Sequence, residues 1–274
     1  MPKTMNDLHQ KKQNALKITM LTCYDYPTAV LQDRAGLDVI FVGDSLGTNE
    51  LGYERETSVT LDEMIHHLKA VRRGVKESYL LADMPYQTYV NPGMALVTAR
   101  ELISHGADGV KLEGMQEDVI SHLSNNGVEV WAHLGYNPQY HNKIAVQGKT
   151  YDSAKILVSD AIALQDAGAS MMVLELIPEE LGKVISEKLA IPTIGIGAGR
   201  YTDGQVLIVQ DMLGITAREL RHAKNYANIG DIMHEAFQTY VHEVEFNEFP
   251  QPANVRNMKE QEREQLMHWL SMNR

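Results

Sequence analysis

The sequence predicts an α/β chain folded as a (βα)8 barrel, and three observations predict it. Short apolar runs alternate with segments of helical spacing about eight times. The runs are continuously apolar, as parallel strands covered on both faces require. The chain has 274 residues, close to the ~200–250 that α/β barrels occupy as one domain. A doubly wound open sheet is the structural competitor, because periodicity does not distinguish a closed sheet from an open one.

The runs are Thr19–Cys23, Val39–Val42, Tyr79–Ala82, Gly109–Leu112, Val128–Ala132, Met171–Leu174, Thr193–Ile196 and Val206–Val209. Helical segments lie between them. Thr60–Val75 opens with Thr60 as N-cap and Glu63 three residues on, a capping box. Leu61, Met64, Ile65, Leu68 and Val71 then share one face. Pro92 opens a helix that ends near Gly106, with proline in the first turn and glycine after the last. Val119–Asn126, Tyr151–Gly168 and Pro178–Leu189 repeat the pattern. Beyond about Asn225, Gly230–Phe246 and Val255–Asn273 read as two helices joined by a turn at Glu248-Phe249-Pro250. The expected organisation is one domain over 1–274, with a barrel over about 17–225 and a helical extension over about 226–274 that caps the barrel or makes an oligomer contact.

Composition narrows the function. Lys plus Arg is 25 and Asp plus Glu is 36, a net charge of −11, which disfavours general nucleic-acid binding. One cysteine, Cys23, permits no internal disulfide and no cysteine-rich zinc site. No apolar run reaches membrane-span length, and the first residues lack both a signal core and the Arg and Ser enrichment of a transit peptide. These features predict a cytoplasmic protein without membrane or nucleic-acid partners.

In a barrel, the chemistry gathers at the C-terminal ends of the strands. There this sequence places Asp44-Ser45, Asp83, Lys111 and Glu113, His133, Glu175 and the stretch Gly195-Ile-Gly-Ala-Gly199. Asp44 and Asp83 on neighbouring strands suit a hard cation such as Mg2+, which takes one or two carboxylates plus water and substrate oxygens. Glu113 suits a metal-bound water. Each aspartate alone would more often cap its own loop. Lys111 and Glu113 share parity, so both point to one face, and a lysine inside a barrel meets an anion or forms a Schiff base. Glu175 closes an apolar strand, which raises a carboxyl pKa and suits a general base, although a salt bridge would account for it as well. His133 can donate to a substrate or be a structural histidine. The glycines after the seventh run suit either a phosphate or the close approach of a substrate. No H-E-x-x-H, Walker or G-x-S-x-G pattern occurs. Cation, lysine and base together suit proton abstraction beside a keto group.

Gly43-Asp-Ser-Leu-Gly47, Val71-Arg-Arg-Gly74, Leu81-Ala-Asp-Met-Pro85, Val110-Lys-Leu-Glu-Gly114, His133-Leu-Gly135, Val146-Gln-Gly148, Gly195-Ile-Gly-Ala-Gly199 and Asp203-Gly-Gln-Val-Leu207 occur in this order. As a set they closely resemble the 3-methyl-2-oxobutanoate (ketopantoate) hydroxymethyltransferase family, over about Ile18 to Pro250. The resemblance implies a (βα)8 barrel of the phosphoenolpyruvate/pyruvate-utilising type, assembled as a homo-oligomer, commonly a decamer. It implies one Mg2+ per active site and transfer of a one-carbon unit from the co-substrate 5,10-methylenetetrahydrofolate to 3-methyl-2-oxobutanoate. The product would be 2-dehydropantoate, for pantothenate biosynthesis. By motif it implies Asp44, Asp83 and Glu113 as metal-site carboxylates and Glu175 as proton acceptor. Asp44, Ser45, Asp83, Lys111 and His133 would meet the ketoacid. Thr48 stands where the family usually has methionine, and Leu134–Tyr140 departs from the usual loop. Two other readings use the same residues less fully: a Mg2+-dependent carbon–carbon lyase or phosphonomutase-like barrel acting on another 2-oxo acid, and a non-catalytic barrel.

Overall fold

The computed structural model describes residues 2–216 and 220–273. Its strands are β1 (Ile18–Thr22), β2 (Val39–Val42), β3 (Tyr79–Asp83), β4 (Gly109–Lys111), β5 (Val130–Gly135), β6 (Met171–Glu175), β7 (Thr193–Ile196) and β8 (Gly204–Leu207). Each pairs in parallel with the next, and β8 pairs back onto β1, with Ile18 opposite Gly204 and Leu21 opposite Leu207. That last pairing closes the barrel and excludes the open sheet.

Period-two geometry sorts each strand between two cores. Met20, Phe41, Leu81, Trp131 and Val173 turn inward and pack together. Their neighbours Ile40, Ala82, Val110, Ala132 and Leu174 turn outward against the helices. Tyr79 stacks on Trp131 inside, with ring centroids 5.9 Å apart, which fills the interior below the strand ends. Gly109 is required there, because a Cβ would lie 2.2 Å from the Tyr79 hydroxyl oxygen.

Helices α2 (Tyr26–Arg34), α4 (Leu61–Gly74), α5 (Pro92–Ser104), α6 (Glu117–Asn125), α7 (Tyr151–Asp166) and α8 (Glu179–Lys188) surround the barrel, with the short α3 (Leu46–Asn49) and α9 (Val209–Leu213) after β2 and β8. The capping box of α4 is formed, with Thr60 and Glu63 bonding each other's backbone N–H, and Met64, Ile65, Leu68 and Val71 are buried. Asn91 caps α5 and Pro92 fills its first turn.

Some boundaries differ from the apolar runs. β5 starts at Val130 and continues to Gly135, and β8 starts at Gly204 and ends at Leu207. A strand is delimited by the neighbour it pairs with, whereas an apolar run reports only burial. The helix expected over Val255–Asn273 is α11 (Glu260–Met272), preceded by one 3-10 turn.

The sequence reading overlooked α1 (Met5–Gln13). A Thr4–Asp7 capping box starts it, and Met5 and Leu8 pack onto the inner core, closing the N-terminal end of the barrel. Lys11 and Lys12 pair with Asp38 and Asp203 at 2.5 and 2.7 Å, tying the helix to the strand starts.

Contacts divide the chain into two units, Met1–Ala227 and Asn228–Arg274. The second holds α10 (Ile229–Glu245) and α11, and neither helix buries a side chain. Among the described residues no helix is long and apolar enough to cross a membrane.

Candidate active site

A cavity of about 440 Å³ occupies the C-terminal end of the barrel. Asp44, Ser45, Asp83, Lys111, Glu113, His133 and Glu175 all line it. The barrel explains this directly. Asp83, Lys111, His133 and Glu175 lie in β3, β4, β5 and β6 on the inward parity, Glu113 stands two residues past Lys111, and Asp44-Ser45 leaves β2.

The side chains form one connected network. Lys111 Nζ donates to Asp83 Oδ1 at 2.6 Å and lies 3.7 Å from Glu113 Oε1. Asp83 Oδ2 accepts from the Asp44 backbone N–H at 3.0 Å. Asp44 Oδ2 accepts from Gln139 Nε2 at 2.7 Å, and Glu113 Oε2 accepts from the Gln139 backbone N–H at 3.0 Å. The Ser45 and Tyr24 hydroxyls share a hydrogen bond of 2.8 Å. His133 stands between two carboxylates, with Nδ1 3.5 Å from Glu113 Oε1 and Nε2 3.5 Å from Glu175 Oε2. Neither ring nitrogen makes a hydrogen bond to a described residue.

Four carboxylates face one ammonium; Asp44, Asp83, Lys111 and Glu113 are nearly sealed from solvent, and Glu175 stands at the cavity mouth with 17% of its side chain exposed. Burial, then the Asp83 charge, pushes the Asp44 carboxyl well above the ordinary carboxylate range. Burial also raises Asp83, against the pull of Lys111. Glu113 moves the other way: burial opposes its charge, but His133, Lys111 and the Gln139 N–H outweigh burial and keep it low. Burial likewise opposes charge on Lys111, and Asp83, Glu113 and Asp44 overcome it and hold the ammonium protonated. A protonated, ion-paired lysine is an anion binder, not a Schiff-base nucleophile. Burial, then Glu113, pushes Glu175 well above its usual range.

This donor set fits a divalent cation. Asp44 and Asp83 are two adjacent desolvated carboxylates whose charges repel, and no hydrogen bond from a described residue reaches Asp44 Oδ1. Among the described residues no three His, Cys, Asp or Glu side chains group as a ready-made cage. A cation here would therefore take two aspartates and complete its shell with water and substrate oxygens, the mode typical of Mg2+.

The backbone is strained beside Glu175. Leu176 has φ 47°, the left-handed region that a γ-branched residue rarely enters. Its N–H donates to Ile196 O at 2.9 Å, so the β6 and β7 exits are tied where Glu175 projects. In the glycine stretch, Gly197 and Gly199 have φ of 66° and 80°. A Cβ on Gly197 would lie 2.7 Å from Leu176 Cδ2, and one on Gly199 2.5 Å from Glu179 Cγ, so the first glycine lets this loop pack on the loop after β6 and the second lets it pack on the start of α8.

Sequence reasoning passed over Gln139, Tyr89 and Tyr24. All three are buried polar side chains on loops, and nothing in their spacing marks them as part of the site. They are found only by following hydrogen bonds outward from the carboxylates.

A ketopantoate hydroxymethyltransferase family profile matches residues 2–252. The chain belongs to that family. Relatives of this ketopantoate hydroxymethyltransferase family member include the 3-methyl-2-oxobutanoate hydroxymethyltransferase of Dehalococcoides mccartyi, 47% identical over 255 residues, 90% of each chain. That of Geobacillus kaustophilus is 44% identical over 268 residues, covering 95% of this chain and 96% of its own. The family places the chain among enzymes, as a hydroxymethyl-transferring transferase. Among solved structures, phosphoenolpyruvate phosphomutase from Streptomyces platensis subsp. rosaceus superposes with a TM-score of 0.60 at 13% identity, covering 98% of each chain. This match establishes a shared barrel fold.

Proposed function

We propose that the chain transfers the one-carbon unit of 5,10-methylenetetrahydrofolate to 3-methyl-2-oxobutanoate, giving 2-dehydropantoate for pantothenate biosynthesis, with Mg2+ at Asp44 and Asp83. One observation carries the reading: in a member of this family, a carboxyl with a raised pKa, Glu175, shares one cavity with two aspartates and an ion-paired lysine.

Mg2+ held by Asp44 and Asp83, with Glu113 behind them, would supply positive charge that eases proton loss beside the keto group. Lys111 and the Ser45 hydroxyl bind the ketoacid carboxylate. Glu175 accepts the proton from C3, a task for which burial has made it a stronger base. His133, 3.5 Å from both Glu113 and Glu175 and with neither ring nitrogen hydrogen-bonded to a described residue, is placed to donate to the ketoacid. The electron pair released at C3 forms the new bond to the donor methylene carbon as its two bonds to the folate nitrogens break in turn; water supplies the hydroxyl, and the C3 proton and the water proton balance the two N–H bonds of the departing tetrahydrofolate. Cytoplasmic location and homo-oligomeric assembly accompany this reading. The large apolar side chains of Phe237, Tyr240 and Trp269, each about 60% exposed, support a role in assembly.

The test is proton exchange at C3 of 3-methyl-2-oxobutanoate in D2O, followed by NMR with Mg2+, with EDTA and with tetrahydrofolate. Exchange that requires Mg2+, followed by product on adding the methylene donor, is the expected result. A folded protein that exchanges nothing under any condition would overturn the substrate and the base together.

A further inference from the structure

Gln139 does not line the cavity, yet its backbone N–H and both ends of its side-chain amide are committed to the site. It is buried, on the loop after β5, in a turn opened by Pro138 and closed by Tyr140 and His141 N–H bonds to Asn137 O at 3.0 and 2.9 Å. Its backbone N–H holds Glu113 Oε2, and its Nε2 holds Asp44 Oδ2 and, at 3.2 Å, Met84 O. Its Oε1 accepts from the Tyr89 hydroxyl.

The orientation of this amide is forced, although a glutamine's two ends are nearly isosteric. The Glu113 backbone N–H points at the Tyr89 oxygen at 3.4 Å, and an N–H can only donate. The Tyr89 oxygen accepts there, which leaves its own proton free to point at Gln139 Oε1. Met84 O on the other side can only accept, so it must face Nε2. The chain of donors runs one way, from the Glu113 backbone through Tyr89 and Gln139 to Asp44.

We infer that Gln139 is a positioning residue for the cation site, oriented by Tyr89: its amide occupies Asp44 Oδ2 and leaves Oδ1 free for the ion, while its backbone N–H fixes Glu113. This rests on the reading of Asp44 and Asp83 as the cation's ligands. Partners that orient metal ligands in this way typically change affinity 10–100-fold when removed.

The experiment titrates Mg2+ into the metal-stripped full-length protein by calorimetry, for wild type, Gln139→Met, Tyr89→Phe, the double variant and Asp44→Asn. Gln139→Met should weaken Mg2+ binding 10–100-fold. Tyr89→Phe should weaken it less, and should add little in the Gln139→Met background, because the amide that the tyrosine orients is then gone. Ketoacid exchange should recover at saturating Mg2+. A lower melting temperature of the metal-free Gln139→Met protein with unchanged Mg2+ affinity would overturn the inference, because Gln139 would then only support the fold. Should Gln139→Met not fold, Tyr89→Phe decides: wild-type affinity in that variant overturns the relay. Wild-type affinity in Asp44→Asn would instead overturn the cation site itself, and this inference with it.

Discussion

The Lys111 ammonium donates to Asp83 Oδ1 at 2.6 Å, and both side chains are nearly sealed from solvent, at 4% and 2% exposure. Buried pairs of this kind add little net stability, but removing one partner is costly because the other is left uncompensated. Lys111→Met should therefore destabilise the protein by about 3–5 kcal/mol. It should also raise KM for the ketoacid. Chemical denaturation and steady-state kinetics check both effects. A variant as stable as wild type would mean that the Asp83–Glu113 charge is balanced elsewhere.

Asp83→Asn keeps the size of the side chain but removes a charge from the cation site. Saturating Mg2+ at about 100 times its Kd should stabilise the wild type by about 2.7 kcal/mol, and the variant hardly at all. Thermal melts with Mg2+ and with EDTA measure the difference. An undiminished Mg2+-linked shift would remove Asp83 from the site.

Glu175→Gln should retain ketoacid binding while C3 exchange falls by at least about 100-fold, the usual contribution of a positioned base. Binding by calorimetry and exchange by NMR separate the two. Near-wild-type exchange would reassign the base.

The same substitution has a pH signature. The folded Glu175 carboxyl titrates well above its ordinary 4.5. Folded protein thus keeps a proton that the unfolded chain has released, so stability from this group is full below about pH 4 and declines as pH rises through the folded pKa. In EDTA, Glu175→Gln should melt with wild type near pH 4.5 and above it at pH 8, by about 2–4 °C per kcal/mol recovered. Parallel melting curves across this range would contradict the raised pKa.

Gln87 has φ 66° at the third position of the turn Pro85–Thr88, closed by the Thr88 N–H to Pro85 O bond at 3.1 Å. A turn with positive φ there favours glycine. Gln87→Gly should match or exceed wild-type stability by up to about 1 kcal/mol, relief of strain being partly offset by glycine's greater unfolded-state entropy. Loss of more than that would show that the exposed Gln87 side chain makes a contact of its own.

Much of the site was legible because a barrel converts sequence position into spatial position. Asp83, Lys111 and Glu175 end strands, Asp44 follows one and His133 lies two residues before the end of another, and strand ends meet wherever the sheet closes. Gln139 and Tyr89 were not legible, because loop conformation brings them together and hydrogen-bond direction alone gives them their role. The helix Met5–Gln13 escaped notice for a different reason. It buries only Met5 and Leu8, too narrow an apolar stripe for periodicity to register, and the Thr4–Asp7 capping box was its one local signal.

The sequence by itself determined the alternation of strand and helix, the Thr60 cap and the first-turn Pro92, and the shared parity of Lys111 and Glu113, because these depend on side-chain chemistry and on the two backbone periods. Tertiary structure alone decided that the sheet closes through β8 and β1, that Lys111 pairs with Asp83 at shorter range than with Glu113, and that Asp44 and Glu175 are pushed up while Glu113 is held down. Pairing partners, burial and the distances between charges are properties of chain segments far apart in sequence, and they take their values only once those segments meet.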